Sequence, residues 1–335
     1  MKKTAFSSIP LIITSAVLLG ASPWLIAADF ANPFIGRWAL DLPGGGAGWL
    51  GIEDQNGSLK GTLLWGGGSV LPAAGTKMEN GVLVFSREVY TKDDGKVVRH
   101  IETISARLEG DKMELKSITV DPAGIEIARS EFKGGRIADL PPKPDLSQVK
   151  FGNPISLLNG KDLAGWTVLN EKAPNCWSVI DGVLVNNVVA ADGTNQHGTN
   201  IRTEAEFEDF NLKAELRVPE GGNSGIYLRG VYEVQVAESF GKPCDSHNMG
   251  ALYSRIVPSV AAEKPAGVWQ TLDITLVDRH LTVLLNGVTI IDNQPVLGCT
   301  GGALTSDEFQ PGPIFLQGDH TNVEYRKLEL TPVIR

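Results

Sequence analysis

Cysteine is scarce in this chain: three among 335 residues, at Cys176, Cys244 and Cys299. That count excludes a disulfide-stapled scaffold, and the lack of any Cys-x-x-Cys or Cys/His spacing excludes a structural zinc site. Aromatics make up only 7% of residues, and bases (30) are outnumbered by acids (39), for a formal charge of −9. No basic stripe interleaved with aromatics exists, so nucleic acid and anionic membrane surfaces are disfavoured as partners. Beyond the N-terminus no apolar run is long enough to span a bilayer. No segment of any length repeats its apolar residues every 3.6 positions, which excludes a helical architecture. What remains is a globular composition, 42% hydrophobic with 38 glycines and 19 prolines, rich in turn formers.

The first residues read as an address. Lys2 and Lys3 precede an apolar run from Ile9 to Leu19, and small residues follow at Ala27 and Ala28. This is the pattern of a secretory signal over residues 1–28, cleaved to leave a periplasmic or secreted protein without a stable membrane span. In an oxidising compartment one cysteine pair is able to close, and Cys244 with Cys299 is the first pairing to test. A buried, inert thiol is the expectation for the third.

The segment Asp139-Leu-Pro-Pro-Lys-Pro-Asp145 cannot continue a helix or a central strand. A linker over residues 139–150 therefore divides residues 30–138 from 151–335, about 110 and about 185 residues, both ordinary domain sizes. The first part predicts strands at Ser58–Trp65, Val82–Val89, Val97–Leu108, Lys112–Val120 and Glu126–Phe132, separated by Asn-Gly and Asp-Gly turns. That spacing implies an antiparallel, barrel-like meander. Gly44-Gly45-Gly46 and Gly66-Gly67-Gly68 lack the Lys-Ser/Thr of a phosphate loop and are expected to be flexible connections. The second part predicts strands at Trp177–Ile180, Val183–Val185, Asn211–Val218, Gly225–Leu228, Tyr232–Val236, Gln270–Leu276, Leu281–Leu285, Val288–Asp292, Ile314–Gln317 and Val323–Leu330. So many short strands in one domain imply a two-sheet jelly-roll sandwich.

Candidate chemistry gathers in this second part. Four histidines lie there, His197, His247, His280 and His320, none in a metal-binding motif. His280 reads as a surface turn residue, and His197 sits in a polar stretch, Asp192 to Asn200, that reads as a mobile loop. Arg229 directly follows an apolar strand. In Tyr232-Glu-Val-Gln-Val236, Glu233 and Gln235 share one face and Tyr232, Val234 and Val236 the other. Such a polar pair either faces solvent or lines a concave sheet, and the pattern alone favours an exposed face. Gln317 and His320 end another strand.

Several motifs resemble the 3-keto-disaccharide hydrolase family: Leu158-Asn-Gly-Lys-Asp-Leu-Ala-Gly-Trp166, Trp177-Ser-Val-Ile-Asp-Gly-Val-Leu184, Asn223-Ser-Gly-Ile-Tyr-Leu-Arg229, Tyr232-Glu-Val-Gln235, Gly250-Ala-Leu-Tyr253, and Gly312-Pro-Ile-Phe-Leu-Gln317 with His320. They occur in family order from Phe151 to Leu330. One departure is Gly318-Asp-His320, where relatives more often read Asp-His-Gly. The first part also resembles the β-domain that precedes this one in some relatives, at Gly36-Arg-Trp38, Trp49-Leu-Gly-Ile52 and Gly68-Ser-Val-Leu-Pro72. The resemblance implies an all-β protein whose C-terminal concanavalin-like jelly roll cleaves 3-keto-glycosides by elimination and hydration.

A ketone at C3 acidifies the C2 proton, so such a site needs a base near C2, a cation or donor at the enolate oxygen and an acid for the leaving oxygen. Glu233 and His320 are the candidate base and acid. Arg229 or a divalent metal ion is the candidate for the enolate. Gln235 and Gln317 are expected to bond sugar hydroxyls, and Tyr227, Tyr253 and Trp269 to stack on a sugar face. The expected ligand is a small oligosaccharide or glycoside. A two-carboxylate glycosidase lacks a partner for Glu233. A non-catalytic carbohydrate-binding module is the alternative from another class, and an interaction domain of an extracellular assembly a third. The first part is expected to pack on, or extend, the site.

Overall fold

The structure, a computed structural model, describes residues Asn32–Ile334. The secretory signal expected over residues 1–28 lies outside them. Among the described residues every regular element is a strand, and no helix is long and apolar enough to cross a membrane.

Eight strands form a closed antiparallel barrel in simple up-and-down order: β1 (Gly36–Asp41), β2 (Ala47–Gln55), β3 (Ser58–Trp65), β4 (Leu71–Glu79), β5 (Val82–Asp93), β6 (Lys96–Glu109), β7 (Lys112–Val120) and β8 (Glu126–Ile137). Closure comes from β1 pairing with β8, Arg37 opposite Ile137 through Asp41 opposite Lys133. Tight hairpins demand two consecutive positive φ angles, and Asn-Gly supplies them: Asn56 and Gly57 sit at 57° and 82°. Alternation puts Trp38, Leu40, Leu50, Ile52, Leu83, Phe85, Ile104 and Leu115 inside the barrel. Each fully buried side chain of this size contributes about 1.5–3 kcal/mol.

The chain then builds a two-sheet sandwich. Its strands are β9 (Lys150–Phe151), β10 (Ile155–Ser156), β11 (Trp166–Val168), β12 (Trp177–Ile180), β13 (Val183–Asn186), β14 (Ile201–Phe207), β15 (Phe210–Arg217), β16 (Asn223–Leu228), β17 (Tyr232–Ala237), β18 (Gln270–Val277), β19 (His280–Leu285), β20 (Val288–Pro295), β21 (Gly312–Leu316) and β22 (Val323–Ile334). One sheet runs β12-β13-β22-β15-β18-β19-β20, with β9 and β10 also on β22; the other runs β11-β14-β21-β16-β17. Successive strands cross repeatedly between the two sheets, as in β14, β15 and β16, which is jelly-roll winding. Inward residues of both sheets, among them Leu212, Ile274, Val283, Ile226, Val234 and Leu316, form one hydrophobic core.

Barrel and sandwich are not apolar islands. Ala47, Trp49, Leu64 and Ile137 of the barrel belong to the sandwich cluster. Trp49 fills a space bounded by Gly298, where an added Cβ would stand 2.4 Å from its ring nitrogen, and by Arg255, whose guanidinium lies 4.4 Å from the ring centre. From Phe34 onward the described residues accordingly form one compact unit.

Two expectations need correction. All three cysteines are free, with Cys299 buried and Cys244 exposed, so the Cys244–Cys299 bridge is not formed. Burial pushes the Cys299 thiol up to about 12, which leaves it inert. His280 is not a surface residue: it opens β19 and is buried, with Nδ1 2.9 Å from the Asp278 carbonyl.

Candidate active site

The site is built on the outward face of the five-stranded sheet. In β17, Tyr232, Val234 and Val236 enter the core, which leaves Glu233 and Gln235 on the opposite face. Register aligns this face across three strands: Phe315 of β21 lies opposite Tyr227 of β16, and Tyr227 opposite Glu233. The Phe315 and Tyr227 rings stack at 4.2 Å. Gly225 lies opposite Gln235. A Cβ added at Gly225 would stand 2.2 Å from Glu233 Oε1, so the carboxyl rests on the bare glycine backbone.

This polar face is covered, contrary to the exposed reading that its pattern favoured. Glu233 is only 3% exposed and Gln235 4%. The segment from Gly250 to Tyr253 runs alongside β17: Gln235 N–H donates to the Ala251 carbonyl (2.9 Å), and Tyr253 N–H to the Glu233 carbonyl (3.0 Å). That is the local reason for the Gly250-Ala-Leu-Tyr253 motif, which brings the Tyr253 ring to the cavity. From another side, Glu233 N–H donates to Thr300 Oγ1 (2.9 Å) and the Tyr227 hydroxyl to the Gly301 carbonyl (2.7 Å).

A cavity of about 300 Å³ remains, with Tyr227, Glu233, Gln235, Tyr253, Gln317 and His320 in its wall. These are six of the eight residues singled out from the sequence. Gln235 Oε1 and Gln317 Oε1 are buried without a protein hydrogen-bond partner, the signature of acceptors kept for a ligand or water. The Gln235 amide is oriented by donating from Nε2 to Asn223 Oδ1 at 3.3 Å. His320, at the exposed end, holds Asp319 Oδ1 2.7 Å from its Nδ1.

Electrostatics raise both titratable groups. Burial pushes the Glu233 carboxyl up to about 8, opposed by the Tyr227 hydroxyl and the His320 charge and reinforced by Asp319. His320 is raised above its usual value, first by its hydrogen bond to Asp319 against desolvation, then by the charges of Asp319 and Glu233. A buried carboxyl raised toward neutrality and a histidine that is also raised thus stand in the wall of one cavity, two groups able to take and give protons.

Arg229 and Trp269 lie elsewhere. Strand alternation ends at Leu228, and Arg229 takes a positive φ of 58° in the turn to β17. Its guanidinium donates to the Glu308 carbonyl at 2.8 Å and the Gln310 carbonyl at 3.1 Å, beside a second cavity of about 280 Å³. It fastens the segment before β21 and does not face Glu233. Trp269 precedes β18 on the nine-stranded sheet, held between Arg217 and Arg326 at 4.8 and 4.5 Å. Its ring stacks on guanidinium groups and lines neither of these cavities.

Other wall residues carry no sequence signal of their own. Asn200 orients the β21 exit by accepting the Gly318 N–H at 2.7 Å. Asn195 Nδ2 donates to the His320 carbonyl at 2.8 Å, so the polar 192–200 stretch supports the site through its asparagines, while His197 is exposed. Gly67 and Gly68 of the barrel, and Gly301 and Gly302, also line the cavity. Among the described residues no three His, Cys, Asp or Glu side chains gather as a metal set. Glu233 and the amide oxygens of Gln235 and Gln317 are oxygen ligands of the type that hold a divalent ion, and with Asp319 engaged by His320 no larger acidic or imidazole set stands beside them.

The sequence profile of the 3-keto-alpha-glucoside-1,2-lyase-like domain matches residues 153–331. A curated 3-keto-disaccharide hydrolase of Bacteroides thetaiotaomicron is 25% identical over 148 residues, covering 36% of this chain and 51% of that protein. The chain thus spans about half the length of this curated relative. Among solved structures, a Parabacteroides distasonis protein provisionally classed as a glycosyl hydrolase aligns with 58% of this chain and 93% of its own, at 28% identity and a TM-score of 0.42. A second from the same organism aligns with 54% and 94%, at 20% identity and a TM-score of 0.44. With a domain match covering more than half of its residues, this chain belongs to the family of 3-keto-alpha-glucoside-1,2-lyase-like domains.

Proposed function

We propose that this protein is a glycoside-acting enzyme that cleaves 3-keto-glycosides by elimination across C1 and C2, followed by hydration of the resulting 3-keto-2-hydroxyglucal. The observation that carries the reading is a buried carboxyl, Glu233, raised to about 8 within a polar cavity. Removing a proton next to a ketone calls for a base stronger than an ordinary carboxylate, and burial supplies that basicity. Glu233 takes the C2 proton. The electron pair of that C–H bond forms the C2–C3 enolate, which re-forms the ketone as the C1–O bond breaks. His320, in its imidazolium form, gives its proton to the departing oxygen. Water then adds at C1 while a proton returns to C2, and the sum is hydrolysis. Gln235 and Gln317 accept hydrogen bonds from sugar hydroxyls through their unpaired amide oxygens, and Tyr227 and Tyr253 offer ring surface.

The active form has Glu233 ionised and His320 protonated. The rate against pH is therefore a bell: it rises as the carboxyl loses its proton and falls as the imidazolium loses its own, with limbs that belong to the coupled pair. The test pairs a 3-keto-glucoside with its parent glucoside, with and without EDTA, and follows release of the leaving group. Cleavage of the keto form alone, unaffected by EDTA, is expected. Cleavage of both sugars points to a conventional glycosidase, loss with EDTA brings in a metal, and binding without turnover leaves a sugar-binding module.

A further inference from the structure

The matched family domain begins at residue 153, yet two residues far outside it, Gly67 and Gly68, stand in the wall of the Glu233 cavity. They belong to the β3–β4 connection of the barrel, and this connection is pinned, not flexible. Gly302 N–H donates to the Gly66 carbonyl at 2.9 Å. Ser69 Oγ lies 2.8 Å from His247 Nε2, and His247 Nδ1 lies 2.6 Å from Asp245 Oδ1. Val70 N–H donates to Ser254 Oγ at 2.9 Å. The backbones meet so closely that a Cβ on Gly301 would fall 2.0 Å from the Gly68 carbonyl oxygen. The sandwich segment being gripped, Thr300 to Gly302, is the one that accepts hydrogen bonds from Glu233 N–H and the Tyr227 hydroxyl.

Within the cavity the two ends differ. Glu233 and Gln235 are buried, whereas Gly67, Gly68 and His320 are exposed. A sugar ring whose C2 reaches Glu233 fills the buried end, and whatever is attached through the C1 oxygen must extend toward the exposed end. There the barrel offers a stretch without side chains, so only backbone amides and carbonyls face the ligand. Room and backbone hydrogen-bonding groups suit a second hydroxyl-bearing ring better than a small alkyl group.

We propose that Gly67 and Gly68 of the barrel's β3–β4 loop form a second subsite of this cavity, which receives the leaving group of the substrate, a second sugar unit. The proposal rests on the reading of the Glu233 cavity given above. It makes the barrel a determinant of substrate length and confines the chemistry to the sandwich.

Gly67 gives the test. Its φ lies outside the left-handed range, and a Cβ added there meets nothing within 4 Å. Gly67→Trp therefore adds a large ring at the exposed end without backbone strain. The expected result is that kcat/KM for a 3-keto-disaccharide falls at least tenfold more than for the methyl 3-keto-glucoside, with Gly67→Ala in between and both variants melting like wild type. Equal losses on the two substrates, or no loss on either, overturn the proposal. If the wild type turns over neither substrate, the elimination reading falls, and equilibrium binding of the parent disaccharide and methyl glucoside decides the subsite. Selective loss of disaccharide affinity in Gly67→Trp upholds it, and unselective or absent loss overturns it. If Gly67→Trp melts lower, Gly67→Ser is read by the same ratio.

Discussion

Glu233 concentrates several consequences at a single side chain. Glu233→Gln keeps the shape and removes the carboxylate proposed as the base, so kcat/KM is expected to fall by about 10²–10⁴, measured on a 3-keto-glucoside. The same substitution has a stability signature with a defined sign. The folded carboxyl titrates near 8 and its ordinary value is 4.5. Between these values the folded protein holds a proton that the unfolded chain has released. Stability from this group is complete below 4.5 and is lost as pH climbs through 8, with a slope of up to about 1.4 kcal/mol per pH unit. Melting curves from pH 5 to 9 should show Glu233→Gln gaining on wild type as pH rises; a constant gap would mean that the carboxyl is not raised. Gly225 is the complementary residue. Gly225→Ala places a methyl 2.2 Å from Glu233 Oε1 and must displace the carboxyl. A loss of about 10²-fold in kcat, with the melting temperature little changed, is the expected reading of an ångström-scale misplacement.

At the scale of elements, strands were legible and their neighbours were not. Period-two patterning located Ser58–Trp65, Lys112–Val120 and Trp177–Ile180 with the bounds observed, because one face of each meets a core. It missed β4, where Ala, Gly and Thr interrupt the alternation and the register shifts between Ala74 and Lys77, and β14, where charged residues follow Ile201. For the site, alternation put Glu233 and Gln235 on one face, but burial of that face depends on Gly250 to Tyr253 and Thr300 to Gly302, segments distant in sequence. Arg229 shows the complementary limit: its left-handed backbone at the end of β16 takes its side chain away from the cavity where the enolate role would have needed it. Arg229→Met should therefore lower the melting temperature by removing buried donors to the Glu308 and Gln310 carbonyls, while KM for the sugar moves little. A large rise in KM with unchanged stability would restore Arg229 to the site.

For the whole molecule, the decisive feature is that barrel and sandwich share apolar contacts. Trp49 belongs to a barrel strand yet packs within the sandwich cluster, against Gly298 and under Arg255. A single calorimetric transition is expected, and Trp49→Ala should cost about 3–5 kcal/mol. Two resolved transitions would mean that the parts fold independently. The sequence divided the chain at Asp139–Asp145 from its prolines, but carried no sign of the contacts that reunite the halves, since Trp49 and Gly298 lie far apart in the chain. One feature of the sandwich bears on behaviour at high concentration. A protein made of strands is exposed to templated pairing wherever a rim of backbone donors and acceptors stays open. The outer rim of β17, the strand that carries Glu233, is already occupied by Gly250 to Tyr253. Copies that associate by strand addition must do so at other rims, such as β12 or β20, and assemblies grown that way should keep the Glu233 cavity open to solvent and retain the turnover proposed for it.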